Sequence, residues 1–309
     1  MARSKTTDLE RAREAAAIWE ANQQGHQDIG YLPRVMAQVS LPYNRPKPGT
    51  LVWSRRNGDT ELLLTPRMVT NGPNGKAGTP LFPFGSYPRL LVAWLATQAV
   101  RTNGPEIPLG DTAKGFLAEL GIGNTGGASG PAGRFREQAL NLLQSSFTIN
   151  TTRSGNDEGH QFHVASYWDL YWGKPGPDGQ IAMMPSTIVL SDEFYRYVRK
   201  APVPVDWTIM RWLGSAMAMD LYVWLTYRFS YLYEPSLVPW LALRAQLGSD
   251  YAEDTKGMAN FRKAVNAALA AVRAIYPEAC ITVTKDGLLL TPSRTSVPLR
   301  GLRAITSGA

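Results

Sequence analysis

Residues 257–276, GMANFRKAVNAALAAVRAIY, and the stretch behind them at 280–292, CITVTKDGLLLTP, decide the fold. In the first, Phe261, Val265, Ala268, Leu269, Val272 and Ile275 recur at helical spacing and define one inward face. In the second, the short runs Cys280–Thr284 and Leu288–Pro292 flank Lys285-Asp286-Gly287, and Asp-Gly is the turn chemistry of a tight β-hairpin. Upstream, Ser236–Leu247 predicts a helix with Trp240, Leu243 and Leu247 on one face and Gly248 as its stop. Met217, Leu221, Trp224, Leu225 and Phe229 mark a longer helix before it. Residues 181–200 predict a strand and a short helix; Pro202, Pro204 and Trp207 make a linker to a helical approach at 208–213.

A similar order of elements stands about 125 residues earlier. Ser86 predicts the cap of a helix with Pro88 in its first turn and Leu91, Trp94, Leu95 and Gln98 on one face. A strand at Pro105–Leu109 follows, then a helix capped by Asp111 that carries Phe116, Leu117 and Leu120. The glycine-rich turn Gly121–Gly133 leads into a helix at Arg134–Ser146, with Phe135, Ala139, Leu142 and Leu143 inward. Strands Phe147–Thr152 and His160–Tyr167 close this unit around Ser154-Gly155-Asn156-Asp157. Helix, strand, helix, turn, helix and hairpin is the order of a winged helix, and Phe135-Arg136-Glu137 aligns with Phe261-Arg262-Lys263.

The expected fold class is therefore α+β, with tandem winged-helix domains of the helix-turn-helix type behind an extended N-terminal arm. Residues 1–50 are expected to form that flexible arm, with a short helix over 8–24 (Leu9, Ala12, Ala16, Ile18, Trp19) and an extended part broken by Pro33, Pro42, Pro46 and Pro48. Residues 51–180 form the first domain, opened by a hairpin of Leu51–Arg55 and Glu61–Pro66 about Asn57-Gly58-Asp59; Asn71–Gly85 is a loop. Residues 181–309 form the second domain.

Composition narrows the partner. The 309 residues carry 32 Lys+Arg against 25 Asp+Glu, a net charge of +7, and a positive surplus favours a polyanion. A single cysteine, Cys280, excludes an internal disulfide and a cysteine-built zinc site; it reads as a small strand residue. The N-terminus has no secretory apolar core and no run is long and apolar enough for a membrane helix, so a cytoplasmic protein with no membrane partner is expected.

In a winged helix the third helix enters the DNA major groove. With its apolar face inward, the 100° step leaves Arg134, Arg136, Asn141 and Gln144 facing the groove in the first unit, with Glu137 among them. In the second it leaves Arg262, Lys263, Asn266 and Arg273, with Lys256 and Asn260 at the start. Arginine pairs with guanine, asparagine and glutamine pair with adenine, and lysine suits phosphate. The hairpin residues Arg153 and Lys285 are candidate backbone or minor-groove contacts. No acidic residue stands between Gly257 and Tyr276, so the C-terminal unit is expected to dominate affinity. The bland alternative is a solvated outer helix face.

Catalytic motifs are scarce, and no enzyme activity, cofactor or metal is expected. A metal-dependent nickase would pair histidines on one strand face with a tyrosine; His160, His163 and Tyr167 suggest it, but positions 160 and 163 of a strand face opposite ways. Neither Gly75-Lys76-Ala77 nor Gly121–Gly133 has the Lys-Ser/Thr ending of a nucleotide-binding loop. The nine tryptophans sit mostly at core spacing.

Several stretches resemble the RepA-type plasmid replication initiators: Gly85–Thr102, Leu109-Gly110, Phe116–Gly121, Thr125-Gly126-Gly127, Arg134–Gln138, Pro202–Asp206, Leu221–Arg228 and Gly287–Leu290. The likeness runs from about residue 35 to 300. It implies binding to repeated double-stranded sites at a plasmid origin, local opening, and recruitment of the host helicase and host initiator proteins. It also implies dimers that repress the protein's own gene, with the N-terminal winged helix serving dimerisation. Ala128-Ser129-Gly130-Pro131-Ala132 departs from the pattern, where relatives are expected to carry a bulkier residue. Two other readings use the same domains: a plain transcriptional repressor, and the nickase.

Overall fold

A computed structural model describes residues 5–69, 78–123, 129–170, 186–248 and 250–297. In chain order, helix α1 (Lys5–Gln23) precedes strand β1 (Ile29–Pro33) and the short helix α2 (Arg34–Gln38). Strands β2 (Trp53–Asn57), β3 (Thr60–Thr65), β4 (Arg67–Val69) and β5 (Thr79–Leu81) lead to helix α3 (Ser86–Thr102). Then come β6 (Glu106–Pro108), α4 (Ala113–Glu119), α5 (Pro131–Leu143), β7 (Ser146–Arg153), β8 (Asn156–His163), β9 (Ala165–Asp169), β10 (Thr187–Leu190) and α6 (Asp192–Lys200). The rest comprises β11 (Pro202–Asp206), α7 (Trp207–Leu213), α8 (Ala216–Phe229), β12 (Ser236–Pro239), α9 (Trp240–Leu247), α10 (Thr255–Ile275), β13 (Ile281–Val283) and β14 (Gly287–Leu290). The chain is thus a mixed helix-and-sheet protein, and no described helix is long and apolar enough to cross a membrane.

These elements divide into two compact units whose boundaries fall inside β1 and β11: Tyr31–Pro202, and the residues up to Gly30 together with those from Val203 onward. The division departs from the expected boundaries at 50 and 180. The expected arm of residues 1–50 is not a separate element, because its helix packs on α10 and the stretch after Gly30 belongs to the other unit. Apolar burial does little of this, since among the described side chains of α1 only Ala15 is buried while Leu9 and Trp19 stay exposed. Polar reach does more. The Arg11 guanidinium lies 4.2 Å over the Trp212 ring and donates to the carbonyls of Trp212 and Leu213 at 3.3 Å each. Gln23 donates to Glu278 at 2.7 Å, and Gln27 to the Ser296 carbonyl at 2.8 Å.

In the unit Tyr31–Pro202, α3 is buried from Pro88 to Thr97 and packs on α5, α6 and β6. It is therefore apolar nearly all round, as a central helix must be, rather than on the single face expected. Gly85, not Ser86, precedes its first turn, and Thr112, not Asp111, caps α4 by accepting from Gly115 N–H at 3.0 Å. The sheet β2-β3-β7-β8 is antiparallel throughout, with Trp53, Leu64, Phe147 and Phe162 in cross-strand register on its inner face. Ser154 and Gly155, at φ 50° and 78°, turn β7 into β8. A second sheet runs β6-β10-β9. The helix third in this unit's expected order is thus followed by a hairpin that joins β3, not β6.

Arg89 holds the start of α3. It is 5 % exposed, and its guanidinium donates to the carbonyls of Pro42 (3.1 Å), Leu41 (2.6 Å) and Gly85 (2.6 Å) and to Ser40 Oγ (3.1 Å). Truncation to alanine strands those acceptors away from water. Arg89→Ala is expected to cost about 3 kcal/mol, read as a lowered urea midpoint.

In the other unit α8 is central, buried from Met217 to Thr226, and α10 packs along it. Ser236–Pro239 is a strand where a helix start is expected. Pro239 cannot continue a helix backward, Val238 points inward and Leu237 outward, and the segment pairs with β14. The sheet order is β12-β14-β13, antiparallel at both pairings.

Asp206 caps α7 from full burial, its carboxylate accepting from Ile209 N–H at 3.1 Å. Burial pushes this carboxyl above its ordinary value of 3.8, against the hydrogen bonds of Ile209, Thr208 and Asn22 that pull it down. The native state thus keeps this proton to higher pH than the unfolded chain. Its contribution to stability falls as pH rises from about 4 through the raised native value. Asp206→Asn keeps the cap and removes the charge. At neutral pH it is expected to melt at or above the wild-type temperature, with the slope above pH 4 reduced; a drop of several degrees at pH 7 would contradict this.

Candidate nucleic-acid interface

The 21 residues of α10 begin where the Asp254 carboxylate accepts from Gly257 N–H at 2.6 Å. Its inner face is the expected one: Phe261, Val265, Ala268, Leu269, Val272 and Ile275 are all buried. The outer face carries Lys256, Asn260, Lys263 and Asn266, all exposed, among the exposed alanines 259, 267, 270 and 274. This makes a low-profile ridge with positive and amide side chains projecting and no carboxylate between Thr255 and Ile275. Such a helix suits close approach to a groove lined by phosphates and base edges.

Arg262 and Arg273 leave that ridge sideways. The Arg262 guanidinium lies over the Trp240 ring at 5.2 Å, and Arg273 donates to the Ile281 carbonyl at the start of β13. Arg273 is therefore partly engaged in holding the hairpin to the helix, although its side chain remains exposed. Lys285 is exposed in the turn between β13 and β14.

The corresponding positions of α5 fare differently. Arg134 and Arg136 are exposed, as is Arg153 at the end of β7, but Asn141 is 1 % exposed. Asn141 is a correction: its Nδ2 donates to the Phe82 carbonyl at 3.2 Å, one turn from Gln138, whose Oε1 accepts from Phe84 N–H at 2.7 Å. The segment 82–84 covers a second side of α5, so a helix expected to have one buried face has two. Gln144 is half-buried at the helix end. Glu137 pairs with Arg45 at 3.4 Å. Arg45, with exposed Lys47 two residues on, is a basic contribution that helix periodicity could not locate, because it lies in an extended segment.

Near Arg153, Glu158 is held below the usual carboxylate range, first by the His160 hydrogen bond and then by the charges of His160, Lys200 and Arg153. His160 shares the face of Phe162 and meets Tyr197 edge-on at 6.0 Å, whereas His163 falls on the opposite face of the strand. No group of metal-ligating side chains forms among the described residues. Residues 124–128, which include Thr125-Gly126-Gly127 and the start of the departing run Ala128–Ala132, lie outside the described residues, as do 70–77 of the expected loop.

The chain thus has two units of helix and sheet, and one of them presents a carboxylate-free basic helix beside a hairpin. Residues 82–236 match the family described as plasmid encoded RepA protein, half of the chain, and the chain belongs to that family. No curated protein matches it. Among solved structures, domains 2 and 3 of RctB share 14 % identity over 74 % of this chain and 82 % of theirs, with a TM-score of 0.46. The family match covers α5 and ends at the start of β12, so α10 stands on its own geometry.

Proposed function

We propose that this chain is a plasmid replication initiator that binds repeated double-stranded DNA sites at the origin through tandem winged-helix domains. It promotes local opening, recruits the host helicase and host initiator proteins, and as a dimer represses its own gene. It acts in the cytoplasm, without cofactor or metal, and catalyses no covalent step. One observation carries the DNA-binding part: the exposed ridge of Lys256, Asn260, Lys263 and Asn266 on α10, free of carboxylates and set beside the Lys285 hairpin. The sheet order β12-β14-β13 supports the winged-helix reading, since the strand before the second helix pairs with the last strand of the hairpin. Membership of the plasmid-encoded RepA family supports the replication role.

The test is a gel-shift titration on the DNA flanking the gene, at several salt concentrations and against random competitor. A ladder of shifts that survives competition is expected; binding no tighter than to random DNA would sink the reading. Arg262→Ala and Lys263→Ala are expected to weaken specific binding more than Arg136→Ala, because Asn141 and Gln138 beside Arg136 are turned to internal use. Removing one lysine–phosphate pair should lower the salt slope by about one. Equal weakening by the three variants would show that both units read bases. Failure of an origin plasmid to replicate in cells lacking the protein separates an initiator from a repressor. Supercoiled origin DNA left intact with Mg²⁺ or Mn²⁺ is the outcome expected of a protein that does not nick.

A further inference from the structure

Trp240, the first residue of α9, lies where the basic helix and the hairpin meet. It is 3 % exposed, and its ring packs edge-on against Phe261 of α10 at 6.4 Å. Its indole Nε1–H donates to the Thr284 carbonyl at 3.1 Å, and its backbone N–H donates to the Asp286 carbonyl at 3.0 Å. Those two carbonyls stand on either side of Lys285. Thr284 in turn closes the hairpin turn, its Oγ1 accepting from the N–H groups of Asp286 (3.2 Å) and Gly287 (3.0 Å). On the ring itself rests the Arg262 guanidinium, 5.2 Å from the centroid. One buried side chain therefore touches both cationic elements of the interface, Arg262 on the helix and the turn that carries Lys285.

We propose that Trp240 is a positioning residue for DNA recognition: it presents Arg262 to a base edge and fixes the distance from Arg262 to Lys285. The inference rests on the DNA-binding reading above and assigns to this interface a residue that never touches DNA. An arginine on an exposed helix samples many rotamers. Resting its guanidinium on an aromatic face removes most of them by cation–π attraction and leaves its in-plane N–H groups free for a bidentate contact. The indole N–H adds what a phenyl ring lacks, a link to the carbonyl before Lys285. The arginine and the hairpin lysine are thereby held to one register, so base reading and backbone contact occur together.

The test uses the full chain and the repeat duplex recovered in the gel shift, with every single base-pair substitution of that repeat. Arg262→Ala should become blind at one position, a loss of about tenfold or more in discrimination there. Trp240→Leu should lose most of the discrimination at that same position while other positions hold, and Trp240→Leu/Arg262→Ala should be no worse than Arg262→Ala alone. Trp240→Phe, which keeps a ring and should fold, is expected to lose about threefold at that position. It should also uncouple Lys285, so that Lys285→Ala costs less in that background than in wild type. A merely structural tryptophan would weaken binding evenly at all positions, and that outcome overturns the proposal. If thermal melts show Trp240→Leu unfolded, Trp240→Phe decides, and unchanged discrimination in it overturns the proposal. A wild-type protein or an Arg262→Ala variant that shows no base preference to lose would instead overturn the reading of Arg262 itself, and the proposal with it. Arg262→Ala blind at one position with both tryptophan variants still discriminating there would overturn the role of Trp240 alone.

Discussion

The double variant Lys256→Glu/Lys263→Glu is expected to lose about a hundredfold in affinity for DNA at low salt, roughly 2.7 kcal/mol. Both lysines project from the outer face of α10, two turns apart, with nothing acidic on the helix to compensate. Reversal puts two carboxylates where phosphates approach, so repulsion replaces attraction. Because the residues are exposed and pack on nothing, the melting temperature should stay within a degree or two of wild type. The measurement is a binding titration across salt concentrations, in which the slope of log affinity against log salt should fall by about two. An unchanged affinity would place the DNA elsewhere on the molecule, with Arg45, Lys47, Arg134 and Arg136 of the other unit as the next basic surface to test.

Gly257→Ala is expected to destabilise the unit that carries α10 by about 3 kcal/mol and to abolish binding with it. A Cβ at this position would lie 2.1 Å from the Ala252 carbonyl oxygen and 2.6 Å from its carbon. Backbone, not a flexible side-chain end, blocks it, so the first turn of α10 must move away from the chain that precedes it. That movement breaks the cap between Asp254 and Gly257 N–H and shifts Lys256 and Asn260 from the ridge. A thermal melt followed by circular dichroism gives the stability change, and a titration on the repeat duplex gives the loss of binding. A variant that folds and binds as wild type would mean that the turn at 252–257 yields easily.

What the sequence discloses and what it hides follow the range of the interactions. The inner face of α10 and the hairpin about Asp286-Gly287 are legible, because a 3.6-residue period and an Asp-Gly turn are local signals. Asn141 is misplaced by a helical wheel, which finds one core direction, while its second covering, Phe82–Phe84, begins 59 residues away in the chain. Ser236–Pro239 reads as helix because four residues carry too little period, and only pairing with Gly287–Leu290 makes them a strand. The docking of α1 leaves little apolar trace among its described side chains, since Ala15 alone of them is buried and Arg11 on two carbonyls and Gln23 on a glutamate add polar hold. Trp240 reads as core and is core. Its contact with Arg262 spans 22 residues and follows from tertiary packing alone.

The grouping of the residues up to Gly30 with those from Val203 onward sets a timetable for synthesis. The intervening Tyr31–Pro202 can close on itself as soon as it leaves the ribosome, whereas the first helix must wait for α10. At about 5–20 residues per second, the 231 residues between Gln23 and Thr255 take roughly 12–46 s to emerge. Throughout that interval Leu9 and Trp19 belong to a segment with no finished unit to join. The carboxylate-free helix therefore reaches its complete setting only after Tyr31–Pro202 has been made, and a nascent chain has one folded unit well before it has the unit that carries α10.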